Sequence, residues 1–266
     1  MRKILCLVLI VMASLVGCKG PDTAVGEAIE SFAANHHANY ILSYAHRYVA
    51  YAEKHGDTPY SSILAAVNLG LDQPNYENVY LLKDPQSLTV LVNKHYGLPK
   101  KFRPDHLVSV DSRYAQPGVM LREDSYTAFL SMVQDMEKEE MSLYIKSGYR
   151  INSKRGGANS LWYAWPGHSE HQTGLAFDLR KKGVSYKTLS EYEFEETREY
   201  VWLCENAHRY GFVLSFPEDK SNITGFGFEP WHWRYVGIDI ATDMKKKDFD
   251  TYQEYWATFL IQDVMQ

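Results

Sequence analysis

The sequence predicts an α+β fold in which a small antiparallel sheet is flanked by helices, with a helical extension on the N-terminal side. Two observations lead to this fold class. Strand-like segments are few and are interleaved with segments of helical periodicity. Apolar residues make up 45% of the 266 residues, which is enough for a sizeable core. The length suits one large domain together with a small helical region.

Apolar residues recur at three-to-four spacing in five segments, which predicts helices over residues 28–54, 61–69, 122–140, 189–211 and 252–264. The second and shortest of them is expected to begin at a serine N-cap. The clearest is the third, where Phe129, Val133 and Met136 share one face. We therefore divide the chain into a helical N-terminal region, residues 28–85, and a larger domain, residues 86–266.

Shorter apolar or alternating runs predict extended segments or strands over residues 88–93, 142–148, 175–179, 211–216 and 231–236. In the third run, the alternation places Leu175, Phe177 and Leu179 on one face and Asp178 on the other. The carboxylate of Asp178 is therefore expected to point away from the apolar side, onto the wall of a cleft.

The N-terminus has the pattern of a targeting segment. A short basic start precedes an apolar stretch over residues 4–16, which is too short to span a bilayer. Cys18 follows Leu-Val-Gly, a sequence that resembles the lipobox of bacterial lipoproteins, in which this cysteine becomes lipid-modified. We therefore expect a lipoprotein signal peptide over residues 1–17, a tether over residues 18–27, and a lipid-anchored protein exported to the bacterial cell envelope. An ordinary signal peptide that contains Cys18 is the alternative.

Charge and cysteine content narrow the possible partners. Loss of residues 1–17, which contain two cations and no acids, would change the formal net charge from −5 to −7. This acidity argues against nucleic acid as a partner, so we expect contact with the membrane only through the lipid anchor. Since Cys6 leaves with the signal peptide and Cys18 would carry lipid, only Cys204 remains and no internal disulfide is expected. Cys204 lies in an apolar stretch and is predicted to be buried.

Two segments contain the residue types of a hydrolytic metal site. GHSEHQTGLAFD, residues 167–178, contains His171 and Asp178, and EPWHW, residues 229–233, contains Glu229 and His232. Two imidazoles and a carboxylate are typical ligands of one zinc ion that keeps a fourth position open for water. The turn expected at Gly174 would bring the first pair together. A bend at Pro230 would bring Glu229 and His232 to the same side.

The remaining roles follow from chemistry. Glu229, if close to the metal without binding it, would accept a proton from the water and deliver one to the leaving amine. Arg150, at the end of a predicted strand, suits a substrate carboxylate or a developing oxyanion. His168 lies three residues before His171 and is a competing ligand on spacing alone. A structural zinc site is disfavoured, because such sites usually have four protein ligands.

These segments resemble the VanY-type D-alanyl-D-alanine carboxypeptidases, zinc peptidases related to the L,D-carboxypeptidase LdcB and the VanX-type dipeptidases. The resemblance lies in PGHSEHQTGLAFDL, EPWHWRYVG and SGYR, and covers roughly residues 60–240. It implies an α+β domain and a peptidoglycan stem-peptide substrate. It also implies that His171, Asp178 and His232 bind zinc and that Glu229 is the catalytic base. Arg150 would help to hold the substrate, and Ser169 would line the site.

One departure from the family keeps the substrate preference open. After SGYR the segment over residues 151–157 differs from the usual pattern, and the connection to the PGHSEH motif is short. This segment normally contributes to the substrate cleft, so D,D- and L,D-carboxypeptidase activities both remain candidates. The alternatives are a D-Ala-D-Ala dipeptidase, a dual dipeptidase–carboxypeptidase, and a non-catalytic wall-binding lipoprotein. The presence of Glu229 argues against the last of these.

Overall fold

The computed structural model describes residues 24–151, 156–183 and 191–261. The predicted signal peptide and Cys18 lie outside these residues. In the described part, the helices are α1 Ala24–His36, α2 Ala45–His55, α3 Tyr60–Leu69, α4 Glu123–Lys138, α5 Arg198–Asn206, α6 Ser221–Thr224, α7 Ile238–Lys246 and α8 Tyr252–Phe259. The strands are β1 Tyr80–Leu81, β2 Tyr96–Gly97, β3 Leu107–Ser109, β4 Met120–Arg122, β5 Leu143–Ser147, β6 Ala176–Lys181, β7 Phe212–Leu214 and β8 His232–Tyr235.

The central sheet has four strands in the order β5-β6-β8-β7, and all three pairings are antiparallel. A parallel pair, β1–β2, and an antiparallel pair, β3–β4, lie outside it. Helices pack around the sheets, so the predicted α+β class with a small antiparallel sheet is confirmed. None of the helices in the described ranges combines the length and apolarity that crossing a membrane requires.

Two apolar clusters hold the sheet in place. Phe177 and Leu179 on β6 pack with α4, where Phe129, Met132 and Met136 are fully buried. Leu175 packs instead in a second cluster, which contains Trp256 of α8. The predicted apolar face is thus correct for Phe177 and Leu179, whereas Leu175 precedes the strand and turns toward other partners.

The two longest predicted helices are interrupted. The segment over residues 28–54 forms α1 and α2, because the chain reverses at His37, whose φ is +52°, and passes through a short 3₁₀ turn before α2. The segment over residues 189–211 contains α5 between two 3₁₀ turns, and Gly211 with a φ of +87° ends it. Pro59, not a serine, precedes α3. Cys204 is exposed on α5, so the prediction that it is buried is wrong.

The stretch over residues 88–93 is a loop with no strand partner, and it is buried from Val90 onward. Side chains satisfy several of its backbone carbonyls instead: Arg234 donates to the carbonyl oxygens of Leu88 at 3.1 Å and of Val90 at 2.8 Å. Apolarity made this run resemble a strand, whereas a long-range contact determines its conformation.

The N-terminal helices are joined to the rest of the protein through Asn68 at the end of α3. The side-chain amide of Asn68 donates to the carbonyl oxygen of Ala257 on α8 at 2.9 Å and to that of Asn39 at 3.0 Å. Its side-chain oxygen accepts from Tyr48 on α2 at 2.6 Å, and its carbonyl oxygen accepts from Tyr96 at 2.6 Å. One buried amide therefore links α2, α3, β2 and α8.

Candidate metal centre

Strand pairing places two of the predicted ligands side by side. Asp178 in β6 is directly opposite His232, the first residue of β8. His171 lies in the 3₁₀ turn Glu170–Thr173, which Gly174 ends with a φ of +70°. This turn directs His171 back toward the strand. A side chain at position 174 would lie 3.0 Å from Leu107 in addition to the backbone strain, so glycine is required there on both grounds.

Three donor atoms converge in the cleft. Nε2 of His171 lies 3.2 Å and Nδ1 of His232 lies 3.1 Å from the same oxygen, Oδ1 of Asp178. These are the three residues of the described chain whose ligand atoms lie close enough to share a metal ion. Atoms bound to one zinc ion at tetrahedral angles are separated by about 3.3 Å, and the distance from Asp178 to each of the two histidine nitrogens is close to this value.

His171 provides a second indication of a cation. Its Nδ1 donates to the carbonyl oxygen of Gly148 at 2.8 Å, which leaves Nε2 as the nitrogen with a free lone pair. Nε2 is buried and makes no hydrogen bond, although it lies next to the Asp178 carboxylate. A buried polar atom without a partner is unfavourable, and a metal ion at this point would satisfy it.

The charges of His171 and Asp178 suit metal binding, whereas His232 holds a proton that a metal ion has to displace. Burial lowers the pKa of His171, which favours its neutral, ligating form. Burial alone would raise the pKa of Asp178, but the neighbouring imidazoles of His171 and His232 lower it far more, so the carboxylate is ionised. Burial opposes charge on His232 as well, yet hydrogen bonds with Asp178 and Glu170 raise its pKa to about 10.

The SGYR segment supports His171 from β5. The register between β5 and β6 shifts between Ile145 and Ser147, which is a bulge next to the site. A Cβ atom on Gly148 would lie 2.3 Å from the carbonyl oxygen of Met120, so only glycine allows this approach. The carbonyl of Gly148 is thereby positioned to accept the hydrogen bond from His171.

Glu229 lies beside the three donors but is not one of them. The backbone N–H of His232 donates to the carbonyl of Glu229 at 3.0 Å, which forms the expected bend around Pro230. Oε2 of Glu229 lies 3.6 Å from Nδ1 of His232. Burial raises the pKa of Glu229 to about 7, and the lowering effect of His232 only partly offsets it. A carboxyl group with this pKa both accepts and donates protons near neutral pH.

The donors lie in an open cleft of about 630 Å³. Arg150 and Ser169 line it, and so does His168. Nδ1 of His168, however, donates to the carbonyl oxygen of Asn93 at 2.7 Å, and His168 is not in the group that could share a metal. Aromatic and aliphatic side chains form the rest of the wall, among them Ile151, Trp162, Tyr163, Phe216, Phe226 and Trp231.

Sequence reasoning did not identify Glu170, although it lies in the same cleft. Its side chain is 6% exposed, and Oε2 accepts a hydrogen bond from Nε2 of His232 at 3.0 Å. Burial would raise the pKa of Glu170, but the hydrogen bond from His232 and the charge of Arg234 lower it to about 2. The only signal in the sequence was an acidic residue next to His171 in the motif.

Comparison with known proteins agrees with this site. The family model described as VanY, D-alanyl-D-alanine carboxypeptidase, matches residues 118–238 and includes all three donors and Glu229. The putative carboxypeptidase YodJ of Bacillus subtilis (strain 168) is 31% identical over 70% of this chain and 72% of its own length. The bifunctional D-Ala-D-Ala dipeptidase and D-Ala-D-Ala carboxypeptidase VanXYC of Enterococcus gallinarum is 32% identical over 63% of this chain and 94% of its own length.

Solved structures extend the comparison to the fold. The LD-carboxypeptidase LdcB is 31% identical to this chain, with a TM-score of 0.61 over 69% of this chain and 92% of its own. Its structure is described as revealing the molecular basis of peptidoglycan recognition. A variant of the vancomycin-resistance D,D-pentapeptidase VanY in complex with Zn(II) is 28% identical with a TM-score of 0.51 over 63% of this chain and 97% of its own. The chain therefore belongs to the VanY D-alanyl-D-alanine carboxypeptidase family and is a peptidase of this metal-dependent group.

Proposed function

We propose that the protein is a zinc-dependent carboxypeptidase that removes the C-terminal D-alanine from peptidoglycan stem peptides. One observation carries this proposal: the donor atoms of His171, Asp178 and His232 converge in an open cleft with Glu229 beside them. The names of the relatives, which include D,D- and L,D-carboxypeptidases, support the peptide class.

One zinc ion fits the donor set. Two imidazoles and one carboxylate leave a coordination position free, as in catalytic zinc sites. When bound there, zinc supplies Lewis acidity, which lowers the pKa of a coordinated water and polarises a carbonyl. The orphaned Nε2 of His171 is the feature of this chain that favours such an ion most directly.

Glu229 is the proton-transfer residue in this proposal. Its carboxylate accepts a proton from the attacking water, and the same oxygen later delivers a proton to the amine of the departing D-alanine. Because its pKa is about 7, both protonation states are accessible near neutral pH. Its position next to His232, outside the donor group, leaves the carboxylate free for this exchange.

Arg150 and Ser169 orient the substrate. The guanidinium group of Arg150 lies on the cleft wall near the acidic residues, and it suits the C-terminal carboxylate that distinguishes a carboxypeptidase substrate. Ser169 lies beside the metal ligands and offers a hydroxyl to the peptide backbone. Trp162 and Tyr163 line the cleft and are exposed to solvent, so they offer a surface along which a peptide longer than two residues extends.

We further propose that the protein is exported and anchored through lipid on Cys18. The support is the sequence alone: a short apolar segment followed by a lipobox-like Leu-Val-Gly-Cys. Such an anchor places the peptidase outside the cytoplasm, in the compartment that contains the cell wall.

The test is digestion of defined stem peptides followed by mass spectrometry. A soluble form that begins at Lys19 is offered pentapeptide and tetrapeptide stems and free D-Ala-D-Ala, with and without a chelator. Chelator-sensitive loss of D-alanine from the pentapeptide identifies a D,D-carboxypeptidase, and the same loss from the tetrapeptide identifies an L,D-carboxypeptidase. Cleavage of free D-Ala-D-Ala alone would replace the proposal with a dipeptidase. Zinc binding without any cleavage would refute it in favour of a wall-binding protein.

A further inference from the structure

Glu170 contacts the edge of the His232 ring that faces away from Asp178. We propose that Glu170 is a positioning residue, which holds His232 so that Nδ1 binds the metal ion while Nε2 keeps its hydrogen. This inference rests on the metal assignment in the proposed function, and it assigns a role to a residue that is neither a proposed metal ligand nor the proposed base.

The two nitrogens of His232 have different neighbours. Nε2 donates to Oε2 of Glu170 at 3.0 Å, while Nδ1 lies 3.1 Å from Oδ1 of Asp178. A neutral imidazole carries hydrogen on one nitrogen and a lone pair on the other, so a fixed acceptor at Nε2 directs the lone pair of Nδ1 to the metal. Without that acceptor, rotation or the other tautomer would present a hydrogen where the ligand is required.

Glu170 is itself held on two sides. Oε2 also accepts from the hydroxyl of Ser215 at 2.6 Å, and Oε1 accepts from Nη1 of Arg234 at 3.4 Å. Arg234 is fully buried, and its guanidinium donates to the carbonyl oxygens of Leu88 and Val90. A chain of hydrogen bonds therefore runs from the loop at Leu88 and Val90 to the His232 imidazole, and three donors hold the Glu170 carboxylate in place.

The two histidine ligands are thus oriented by different acceptors. His171 donates to a neutral backbone carbonyl, that of Gly148, whereas His232 donates to an ionised carboxylate. A carboxylate partner makes an imidazole a stronger electron donor to a metal than a carbonyl does. The positive charge of Arg234 offsets the negative charge of Glu170, so the pair orients His232 without leaving an uncompensated buried charge.

If Glu170 were only the structural partner of Arg234, its substitution would affect folding, whereas a positioning role predicts an effect on zinc affinity. Glu170→Gln separates them, because the amide offers an oxygen on one side only. It cannot accept from His232 and Ser215 through one atom and from Arg234 through the other. Under the proposal, zinc affinity falls even where the variant remains folded.

The experiment measures zinc affinity of the full-length chain by competition with a chromophoric chelator, without any peptide. We expect Glu170→Gln to bind zinc about 10–100-fold more weakly, the usual effect of losing such a partner. The absorption spectrum of the Co²⁺-substituted protein should also change in position and intensity. The matched control is Glu199→Gln, the same change at a carboxylate that is 2% exposed and lies outside the cleft lining, and it should leave both unchanged.

A second pair of variants covers the case in which Glu170→Gln destabilises the fold by leaving Arg234 without its partner. Arg234→Met keeps the contact between Glu170 and His232, and the double variant Glu170→Met/Arg234→Met removes it without an unpaired guanidinium, because methionine has no oxygen to accept from His232. We expect the double variant to bind zinc at least tenfold more weakly than Arg234→Met. Equal affinities of these two variants would overturn the positioning role.

The outcome is separable from that of the proposed function. If the wild-type protein binds zinc and Glu170→Gln weakens it, the inference holds even when no stem peptide is cleaved. If the wild-type protein binds no zinc, the inference fails together with the metal assignment.

Discussion

At the scale of single residues, burial determines what the site does. The His171, Asp178 and His232 side chains are all buried, so each charge on them must be balanced by a neighbour or by a metal ion. The same burial raises the pKa of Glu229 into the range where it exchanges protons. Two neighbouring buried acids thus have opposite pKa shifts. The pKa of Asp178 is lowered because it has two imidazole partners, whereas that of Glu229 is raised because its one imidazole partner is more distant.

Substitution of the proposed base tests its role. Glu229→Gln keeps the shape of the side chain but removes the proton acceptor, so we expect the rate of stem-peptide hydrolysis to fall by about 10²–10⁴-fold. Zinc content, measured by atomic emission after dialysis, should remain at one ion per chain. Loss of zinc in this variant would mean that Glu229 is a ligand and that the assignment of roles is wrong.

Substitution of a proposed metal ligand, unlike that of Glu229, should remove the zinc ion. His171→Ala removes the nitrogen that faces Asp178 without a hydrogen bond, so we expect stoichiometric zinc to be lost on dialysis. His168→Gln is the matched control and should retain zinc, since His168 contacts the backbone of Asn93. Zinc retained by His171→Ala and lost by His168→Gln would exchange the two assignments.

At the scale of elements, contacts between segments that are distant in the sequence hold the N-terminal helices together. Arg47 on α2 donates through Nε to Asp72 at 2.8 Å and through Nη2 to the carbonyl of Val67 on α3 at 3.0 Å. The side chains of this ion pair are 22% and 13% exposed, so solvent screens it only partly. It therefore fixes α2 against the end of α3.

We expect Asp72→Asn to lower the free energy of unfolding by about 1–3 kcal/mol, between the values for exposed and buried pairs. Burial would raise the pKa of Asp72, but hydrogen bonds from Arg47 and Gln73 lower it below the ordinary 3.8. A lowered pKa contributes stability that is complete above the ordinary value and is lost as the pH falls through the lowered one.

The difference between wild type and Asp72→Asn should therefore be constant near neutral pH and shrink below about pH 4. Denaturant titrations at pH 7, 5 and 3 measure it. A difference that stays the same down to pH 3 would exclude the ionised carboxylate as its source.

At the scale of the whole molecule, strand pairing and the 3₁₀ turn of His171 place the donors together, so metal binding should stabilise a fold that already exists. A ligand at a hundredfold excess over its dissociation constant adds about 2.7 kcal/mol of stability. For a chain of this size we expect zinc to raise the Tm by about 5–10 °C. Differential scanning fluorimetry with zinc and with chelator measures the shift, and His171→Ala should show none. Unfolding of the wild-type protein on chelation at room temperature would contradict a preformed site.

The proposed anchor makes a prediction about the intact chain in a bacterial host. Cys18→Ser removes the thiol that lipid would occupy, so the protein should no longer incorporate labelled palmitate or sediment with membranes. Peptidase activity of the released protein should be unchanged, because the site lies more than a hundred residues away along the chain. Unaltered membrane association of the variant would favour an ordinary signal peptide and another means of attachment.

The sequence by itself identified the three residues whose ligand atoms lie together and the glutamate beside them, because each of the two motifs brings its own pair of side chains together through local geometry. A glycine turn links His171 to the strand of Asp178, and one turn of four residues places Glu229 beside His232. The long helix α4 and the strands β5, β6 and β8 were also predictable, since their periodicity comes from neighbouring residues.

Only the tertiary structure decided how these pieces are supported. Glu170 and His232 are 62 residues apart, and their hydrogen bond exists because β8 lies next to β6 and not because of any local pattern. In the 88–93 loop, the distant Arg234 satisfies the carbonyls of Leu88 and Val90, which no strand partner does. Cys204 is exposed because α5 turns its apolar residues Trp202 and Leu203 to the core. Side-chain periodicity is a local property, whereas the hydrogen-bond partner of a buried polar group is determined by the segments that pack against it.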